Sequence, residues 1–197
     1  MQNKEYFNEY IKAFLEQNSK LNLVSKNDEK FLWEKHIFDS LAIEKFFEKY
    51  DIVPKTLLDF GTGGGFPAVP IALAYPNIKI TAMDSIRKKI NAISAIKEEL
   101  KISNLTPLCG RVETLEDQFD IITSRAVANL AKIIEYAMPR LKKDGYFIAY
   151  KSVKAQEEIE NAKLALKKNK AKVVDIIQYD LPLEENHTRN LVIIKHA

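Results

Sequence analysis

The sequence predicts an α/β protein with a mostly parallel sheet that helices cover on both faces. From residue 56 onward, short apolar segments alternate with helical patterns, which is typical of strand–helix–strand units. The strand segments are largely apolar, as expected of strands buried between two layers of helices. Four of the six glycines lie between positions 61 and 65, directly after the first predicted strand.

Length and composition limit the possible classes of protein. A chain of 197 residues suits one domain, and 46% hydrophobic with 29% charged residues excludes global disorder. The 30 basic and 27 acidic residues give a net charge of +3, which is too small to indicate nucleic acid or membrane as a partner. The single cysteine, Cys109, cannot form an internal disulfide or a cysteine zinc site, so we expect a reducing, cytoplasmic location.

Two helical patterns precede the predicted sheet. Residues 3–17 and 28–50 each carry apolar side chains at helical spacing, with a connector at 22–25. We therefore expect an N-terminal helical extension over residues 1–50, packed on a core formed by residues 51–197 as one structural unit.

The core pattern predicts seven strands and four helices. The strands are expected at 56–60, 78–84, 105–109, 119–123, 146–150, 173–179 and 191–195, and the helices at 68–75, 86–100, 128–141 and 156–168. A turn at Asp144-Gly145 should open the fifth strand. No helical run separates the last two strands, so they should form an antiparallel pair at the sheet edge. The charge-free stretch 60–78 contains glycines and prolines, which excludes a membrane helix there.

The glycine cluster indicates a ligand-binding loop. Gly61, Gly63, Gly64 and Gly65 stand between the first strand and the next helix. Glycine allows positive φ and close approach to the backbone, and at this end of an open α/β sheet the approaching group is usually a ligand. A tight turn without a ligand would need only one glycine.

The spacing of the glycines separates two classes of ligand. A dinucleotide fingerprint, G-x-G-x-x-G, would put its third glycine at Phe66, where a small residue is required. A nicotinamide-dependent oxidoreductase therefore remains an alternative that this register disfavours. The segment from Asp59 to Gly65 fits D-x-G-x-G-x-G, which resembles the first motif of the class I methyltransferases that use S-adenosylmethionine.

Asp84 ends the second predicted strand, 23 residues after Gly61. A carboxylate there can accept hydrogen bonds from both ribose hydroxyls, or it can cap the helix that follows. The upstream loop favours the ribose role.

A longer set of motifs resembles one family, the ribosomal RNA small-subunit methyltransferase G family, also called glucose-inhibited division protein B. The matching segments are Asn22-Leu23, residues 36–41, residues 59–70, Asp84-Ser85 with Arg87-Lys88, residues 110–113, Ser124-Arg125-Ala126, Lys151 and residues 189–195. Gly-Phe-Pro-Ala-Val-Pro and Ser-Arg-Ala are the specific segments. Phe60 and Ala68 depart from the family pattern without removing a polar group.

The resemblance implies a Rossmann-like class I methyltransferase fold, with a seven-stranded mostly parallel sheet, an antiparallel last strand and an N-terminal helical cap. It implies methyl transfer from S-adenosylmethionine to N7 of a specific guanine in 16S ribosomal RNA, naked or in the small ribosomal subunit. The resemblance and the motifs together assign the cofactor to Gly61, Gly63, Phe66, Asp84, Val112, Glu113 and Arg125. A non-catalytic module that only binds S-adenosylmethionine is a further alternative.

Methylation of guanine N7 does not require a catalytic base. Guanine N7 has a lone pair and no proton, so alignment alone can suffice, and we assign no catalytic residue. The Arg125 guanidinium should bind an anion, either the cofactor carboxylate or an RNA phosphate, or read guanine O6. The alternative interpretation of Arg125 is that it forms a surface salt bridge.

The candidates for RNA contact are His36, Arg125, Lys151 and Arg189. His36, Asp39 and Ser40 share one helical face, either as a wall of the active site or as a network that packs the cap on the sheet. Lys151 and Arg189 are candidates for RNA phosphates, with ordinary solvated charges as the alternative. We expect no metal and no membrane partner, and a monomer.

Overall fold

The computed structural model, which describes residues 3–185 and 187–197, has a single seven-stranded sheet in the order β3-β2-β1-β4-β5-β7-β6. The strands are β1 Thr56–Phe60, β2 Lys79–Asp84, β3 Leu105–Cys109, β4 Phe119–Arg125, β5 Leu141–Lys151, β6 Ala171–Leu181 and β7 His187–His196. Strands β1 to β5 pair in parallel, whereas β7 is antiparallel to both β5 and β6. The predicted fold class and antiparallel final pair are confirmed.

Nine α-helices are present in the described residues. They are α1 Asn8–Leu21, α2 Lys26–Glu29, α3 Asp39–Leu41, α4 Glu44–Tyr50, α5 Ala68–Ala74, α6 Arg87–Leu100, α7 Leu130–Ala137, α8 Ala155–Asn161 and α9 Lys163–Lys168. Short 3₁₀ turns occupy Lys4–Phe7, Val112–Thr114 and Met138–Arg140, and a π-helical turn occupies Trp33–Phe38. No helix of residues 3–185 or 187–197 is long and apolar enough to cross a membrane.

Side chains alternate between two cores because successive residues of a strand point to opposite faces. Leu57 and Ile121 pack with the N-terminal helices, α5 and α6 on one face, and Leu58 and Ile122 pack with α7, α8 and α9 on the other. All four are essentially inaccessible to solvent. Burial on both faces explains the apolar strand pattern.

The N-terminal helices pack directly on the glycine loop. The Phe14 ring of α1 lies 5.0 Å from the Phe66 ring, and both side chains are buried. The division into an extension over 1–50 and a core over 51–197 stays a prediction. Residues 1, 2 and 186 of these ranges lie outside the described residues.

Several predicted elements differ from the structure, among them the helix expected over 128–141, which ends at Ala137. The expected helix over 28–50 is divided into the α2, π-helical, α3 and α4 segments, and the helix over 156–168 is interrupted at Ala162. The predicted turn at Asp144-Gly145 lies within β5, where the register with β4 shifts between Phe119 and Ile121. This irregularity lets β5 begin five residues earlier than the pattern indicated.

Candidate functional site

Two adjoining cavities lie at the carboxyl ends of β1, β2, β3 and β4. The first, of about 390 Å³, is lined by candidates Gly61, Asp84, Val112 and Glu113. The second, of about 490 Å³, lies beneath the N-terminal helices and is lined by candidates His36, Gly61, Gly63, Phe66, Arg125 and Arg189. Gly61, Lys89 and Ala126 line both cavities. The fold thus gathers all the sequence candidates except Lys151 around one pair of cavities.

The glycine loop forms the wall between the cavities. Gly61 and Gly63 have φ of +67° and +60°, which side-chain-bearing residues rarely adopt. A Cβ on Gly61 would collide with Val127, whereas a Cβ on Gly63 would have no neighbour closer than 4.0 Å. The Thr62 N–H donates to the carbonyl of Met83 at 3.0 Å, which fixes the loop to the end of β2. Gly63 therefore exposes bare backbone to open space.

Gly64 and Gly65 are small for a different reason. A Cβ on Gly64 would lie 3.3 Å from the Phe14 ring, and one on Gly65 would lie 2.7 Å from Val69. The absence of a side chain at these two positions lets α1 and α5 pack against the loop. Gly64 also lines the second cavity, so Gly65 is the member of the cluster that lies away from both cavities.

Asp84 supports the loop from the end of β2. One carboxylate oxygen accepts the Gly63 N–H at 3.0 Å, and the other accepts the Ile86 N–H at 2.9 Å. The bond to Ile86 orders the turn before α6, but the capping role considered from sequence is wrong, because the N-cap residue of α6 is Ile86 and no side chain caps the helix. Because each carboxylate oxygen has a second lone pair, the ribose role stays open.

Val112 and Glu113 begin the 3₁₀ turn after β3. Val112 is buried against the first cavity and Glu113 is exposed at its edge. The Arg140 guanidinium donates to the Glu113 carbonyl, which positions the turn and leaves the Glu113 carboxylate free of that contact. Val112 therefore offers an apolar surface beside the Glu113 carboxylate, which is a hydrogen-bond acceptor.

Arg125 is held in a buried ion pair, and the surface salt bridge considered from sequence is incorrect. Its guanidinium donates to Asp39 at 2.8 Å and to the Lys35 carbonyl at 3.2 Å, and its side chain is 11% exposed. A second nitrogen lies 3.0 Å from His36 Nδ1, and the guanidinium carbon lies 5.3 Å from the Phe66 ring centre. Arg125 thus contacts a carboxylate, a backbone carbonyl, an imidazole nitrogen and an aromatic ring.

Asp39 is the centre of this network, and sequence analysis did not foresee that. Its carboxylate, 1% exposed, also accepts the Tyr179 hydroxyl at 2.7 Å and the Arg189 Nε at 3.3 Å. Burial alone would raise the pKa of Asp39, but the charges of Arg125 and Arg189 hold that pKa below its ordinary value. One carboxylate therefore joins α3 to β4, β6 and β7.

His36 combines its two sequence interpretations. It lines the second cavity, and it takes part in the network that joins cap and sheet. Because arginine can only donate, His36 Nδ1 accepts and the proton resides on Nε2. Burial, with a further contribution from Arg125, lowers the pKa of His36 to about 4, so the ring is neutral at pH 7. Ser40 stays outside the cavity, and its carbonyl accepts the Tyr150 hydroxyl at 2.8 Å.

Lys151 lies apart from both cavities. Its ammonium group donates to Glu158 at 2.7 Å and to the Ala128 carbonyl at 3.0 Å, and its side chain is 9% exposed. A solvated charge, the alternative considered from sequence, is contradicted by this burial. The prediction of an RNA phosphate contact would require Lys151 to leave both partners.

A buried carboxylate lies directly behind the loop. Asp59 of β1 is inaccessible to solvent and accepts the Thr123 hydroxyl at 2.9 Å. Burial raises the pKa of Asp59 to about 7, against the opposing effects of Thr62, Thr123 and Arg125. The sequence motif contained this residue, but no pattern indicated its burial.

Solved structures share the fold at low sequence identity. The M. jannaschii TYW2 protein in complex with AdoMet aligns with a TM-score of 0.59 at 18% identity, over 79% of this chain and 76% of that one. The B. subtilis M1A22 tRNA methyltransferase TrmK aligns with a TM-score of 0.60 at 14% identity, over 83% of this chain and 66% of that one.

Similarity at the level of sequence is more specific. The ribosomal RNA small subunit methyltransferase G of Bacillus licheniformis is 36% identical, over 97% of this chain and 81% of the relative. The protein of the same name from Lachnoclostridium phytofermentans is 37% identical, over 97% of this chain and 80% of the relative. The family model described as GidB, rRNA small subunit methyltransferase G, matches residues 3–192. The chain therefore belongs to the rRNA small subunit methyltransferase G family.

Proposed function

We propose that this protein transfers a methyl group from S-adenosylmethionine to N7 of one guanine in 16S ribosomal RNA. The observation that carries the proposal is the bare backbone at Gly63, open to a cavity and held by Asp84 at the carboxyl end of a parallel sheet. Membership of the family supports ribosomal RNA as the substrate. The N7 position follows from the family resemblance, and N7 is an acceptor that needs no catalytic base.

The first cavity fits the nucleoside part of the cofactor. Asp84 has free lone pairs for ribose hydroxyls, and Val112 with Glu113 offers an apolar surface and an acceptor for adenine. Gly61 and Gly63 leave space for the amino-acid part in the adjoining cavity. When bound, S-adenosylmethionine supplies an electrophilic methyl group on its sulfonium.

The second cavity fits the guanine. Phe66 and the neutral His36 ring offer flat surfaces, their ring centres 5.0 Å apart. Arg125 forms the polar wall, and its pairing with Asp39 weakens the repulsion between its positive charge and a sulfonium nearby. The residues align the base and exclude water, and no side chain needs to remove a proton because N7 carries none. Arg189, a sequence candidate for an RNA phosphate, lies in the same wall and is paired with Asp39.

Two alternatives remain distinguishable. A nicotinamide-dependent oxidoreductase would need a small residue where Phe66 stands, and a non-catalytic module would bind S-adenosylmethionine without an acceptor. Calorimetric titration with S-adenosylmethionine and with NAD separates the first alternative, since we expect binding of the former only. Monomeric action without a metal, and a cytoplasmic location, stay predictions.

The direct test is transfer of labelled methyl from S-adenosylmethionine to 16S RNA, offered both naked and as small ribosomal subunits. We expect incorporation of one methyl group per RNA. No incorporation into either substrate would reject the proposal, and tight cofactor binding in that case would favour the non-catalytic module.

A further inference from the structure

The cations chosen from the sequence for RNA binding are already paired in the folded chain. Arg125 and Arg189 contact Asp39, and Lys151 contacts Glu158. A side chain in a buried ion pair loses that partner if it turns to a phosphate, which is costly. The phosphates of an RNA substrate therefore need other cations near the cavities.

Four cations that form no ion pair in the described residues lie at or beside the first cavity. Lys89 and Arg111 line it, and Arg87 and Lys88 precede Lys89 in the first turn of α6. Within residues 3–185 and 187–197, none of their side chains makes an ion pair or a hydrogen bond. Three are exposed, and the fourth, Lys89, is half-buried where it lines both cavities.

The two segments that carry these cations are joined side by side. Asp84 and Cys109 are register partners on β2 and β3, and the Gly110 N–H donates to the Asp84 carbonyl at 3.1 Å. Arg111 thus emerges next to the segment that starts α6. Two acids, Asp84 and Glu113, line the same cavity. The Asp84 carboxylate is bonded to the N–H groups of Gly63 and Ile86, and within the described residues neither acid forms an ion pair with these cations.

Folding does not account for this placement of charge. The first turn of α6 carries three cations and no acid. Cations at this end of a helix oppose its dipole, at a cost of about 0.3–1 kcal/mol each. Two apolar side chains between these charges, Ile86 and Val127, are 48% and 39% exposed and also line the first cavity. Unpaired cations interspersed with exposed apolar groups suit a nucleotide chain, which alternates phosphates with apolar ring faces.

We infer that Arg87, Lys88, Lys89 and Arg111 bind backbone phosphates of the RNA strand that flanks the target guanine. The inference rests on the proposed function, because it places the substrate strand across the mouth of the proposed cofactor cavity. It moves the RNA phosphate contacts from Lys151 to the loops that follow β2 and β3.

The test compares two variants that each lose two charges. The first carries Arg87→Gln and Lys88→Gln, both at exposed positions, and leaves Lys89 and Arg111 intact because both line the proposed cofactor cavity. The control carries Lys167→Gln and Lys172→Gln, which are exposed on α9 and on β6 at the far edge of the sheet and have no ion-pair partner in the described part of the chain.

Binding of naked 16S RNA is measured against salt concentration, with S-adenosylmethionine binding measured by calorimetry. Each lost phosphate contact reduces the steepness of the plot of log K against log salt by roughly 0.7–0.9, so two lost contacts reduce it by roughly 1.4–1.8. We expect that change in the first variant only, with at least tenfold weaker RNA binding and a cofactor Kd within twofold of wild type.

Three results would overturn the inference. An unchanged RNA slope in the first variant would show that these side chains do not contact phosphates. An equal change in the control would show that the effect comes from net charge alone and not from the position of the cations. A loss of affinity for small ribosomal subunits but not for naked RNA would assign the surface to a protein. Wild-type methyl transfer tests the proposed function separately, because it can succeed in each of these cases.

Discussion

Replacing Asp39 with asparagine should lower the free energy of unfolding by about 3–5 kcal/mol, the usual cost of removing one partner from a buried ion pair. The carboxylate is 1% exposed and faces the guanidinium groups of Arg125 and Arg189. Asparagine keeps the shape and can still accept the Tyr179 hydroxyl, so the change removes charge rather than volume.

The effect of Asp39→Asn should depend on pH. Because the arginines hold the pKa of Asp39 below its ordinary value, its stabilisation is present above the unfolded pKa of about 3.9 and is lost as pH falls through the folded pKa. The difference in unfolding free energy between wild type and variant should therefore be complete at pH 7 and should shrink below pH 4.

Urea unfolding at several pH values measures this difference, with the m-value expected to stay constant. Glu16→Gln is the matched control, because Glu16 also forms an ion pair, with Lys20 at 2.8 Å, but its side chain is 60% exposed. That change should cost at most about 0.5 kcal/mol. A cost below about 1 kcal/mol for Asp39→Asn at pH 7, or a difference that does not vary with pH, would refute the role of a buried ionised carboxylate.

Two further variants test the loop and the acid behind it. Gly63→Asp should weaken S-adenosylmethionine binding by roughly 100-fold or more in calorimetric titration, since it adds bulk and charge where a Cβ now meets open space, and wild-type affinity would mean that the loop does not contact the cofactor. The free energy of unfolding of the Asp59→Asn variant, relative to that of wild type, should rise as pH increases from about 4 to 7. Burial raises the pKa of Asp59 to about 7, so the wild type binds a proton on folding and loses stability over that range, while asparagine cannot ionise. Melting temperatures that differ by a constant amount across this range would contradict that reasoning.

The sheet was predictable because its strands carry a local signal. Both faces of β1 and β4 are buried, so their apolar runs stand out from the polar segments around them. The glycine loop was predictable for a similar reason, since Gly61 and Gly63 are confined to a short segment directly after a strand. The division of the cap helix around Trp33–Phe38 leaves no comparable trace, because its apolar spacing still resembles one helix.

The polar network could not be predicted from local patterns. Asp39 meets Arg125 across 86 residues of sequence and Arg189 across 150. Sequence indicated that Arg125 should bind an anion, which was correct in chemistry, but the nearest anion is a side chain of the same protein. Lys151 shows the same limit, since burial and pairing with Glu158 depend on how α8 packs against the sheet.

The central claim, methyl transfer to guanine N7, is tested most directly by mapping the modified base. 16S RNA methylated by this protein is reduced and cleaved chemically at N7-methylguanine, and the cleavage site is read by primer extension. We predict one cleavage, at a single guanine, that is absent from RNA incubated without S-adenosylmethionine. Incorporated methyl that leaves the chain resistant to cleavage, or cleavage at many guanines, would contradict the claim.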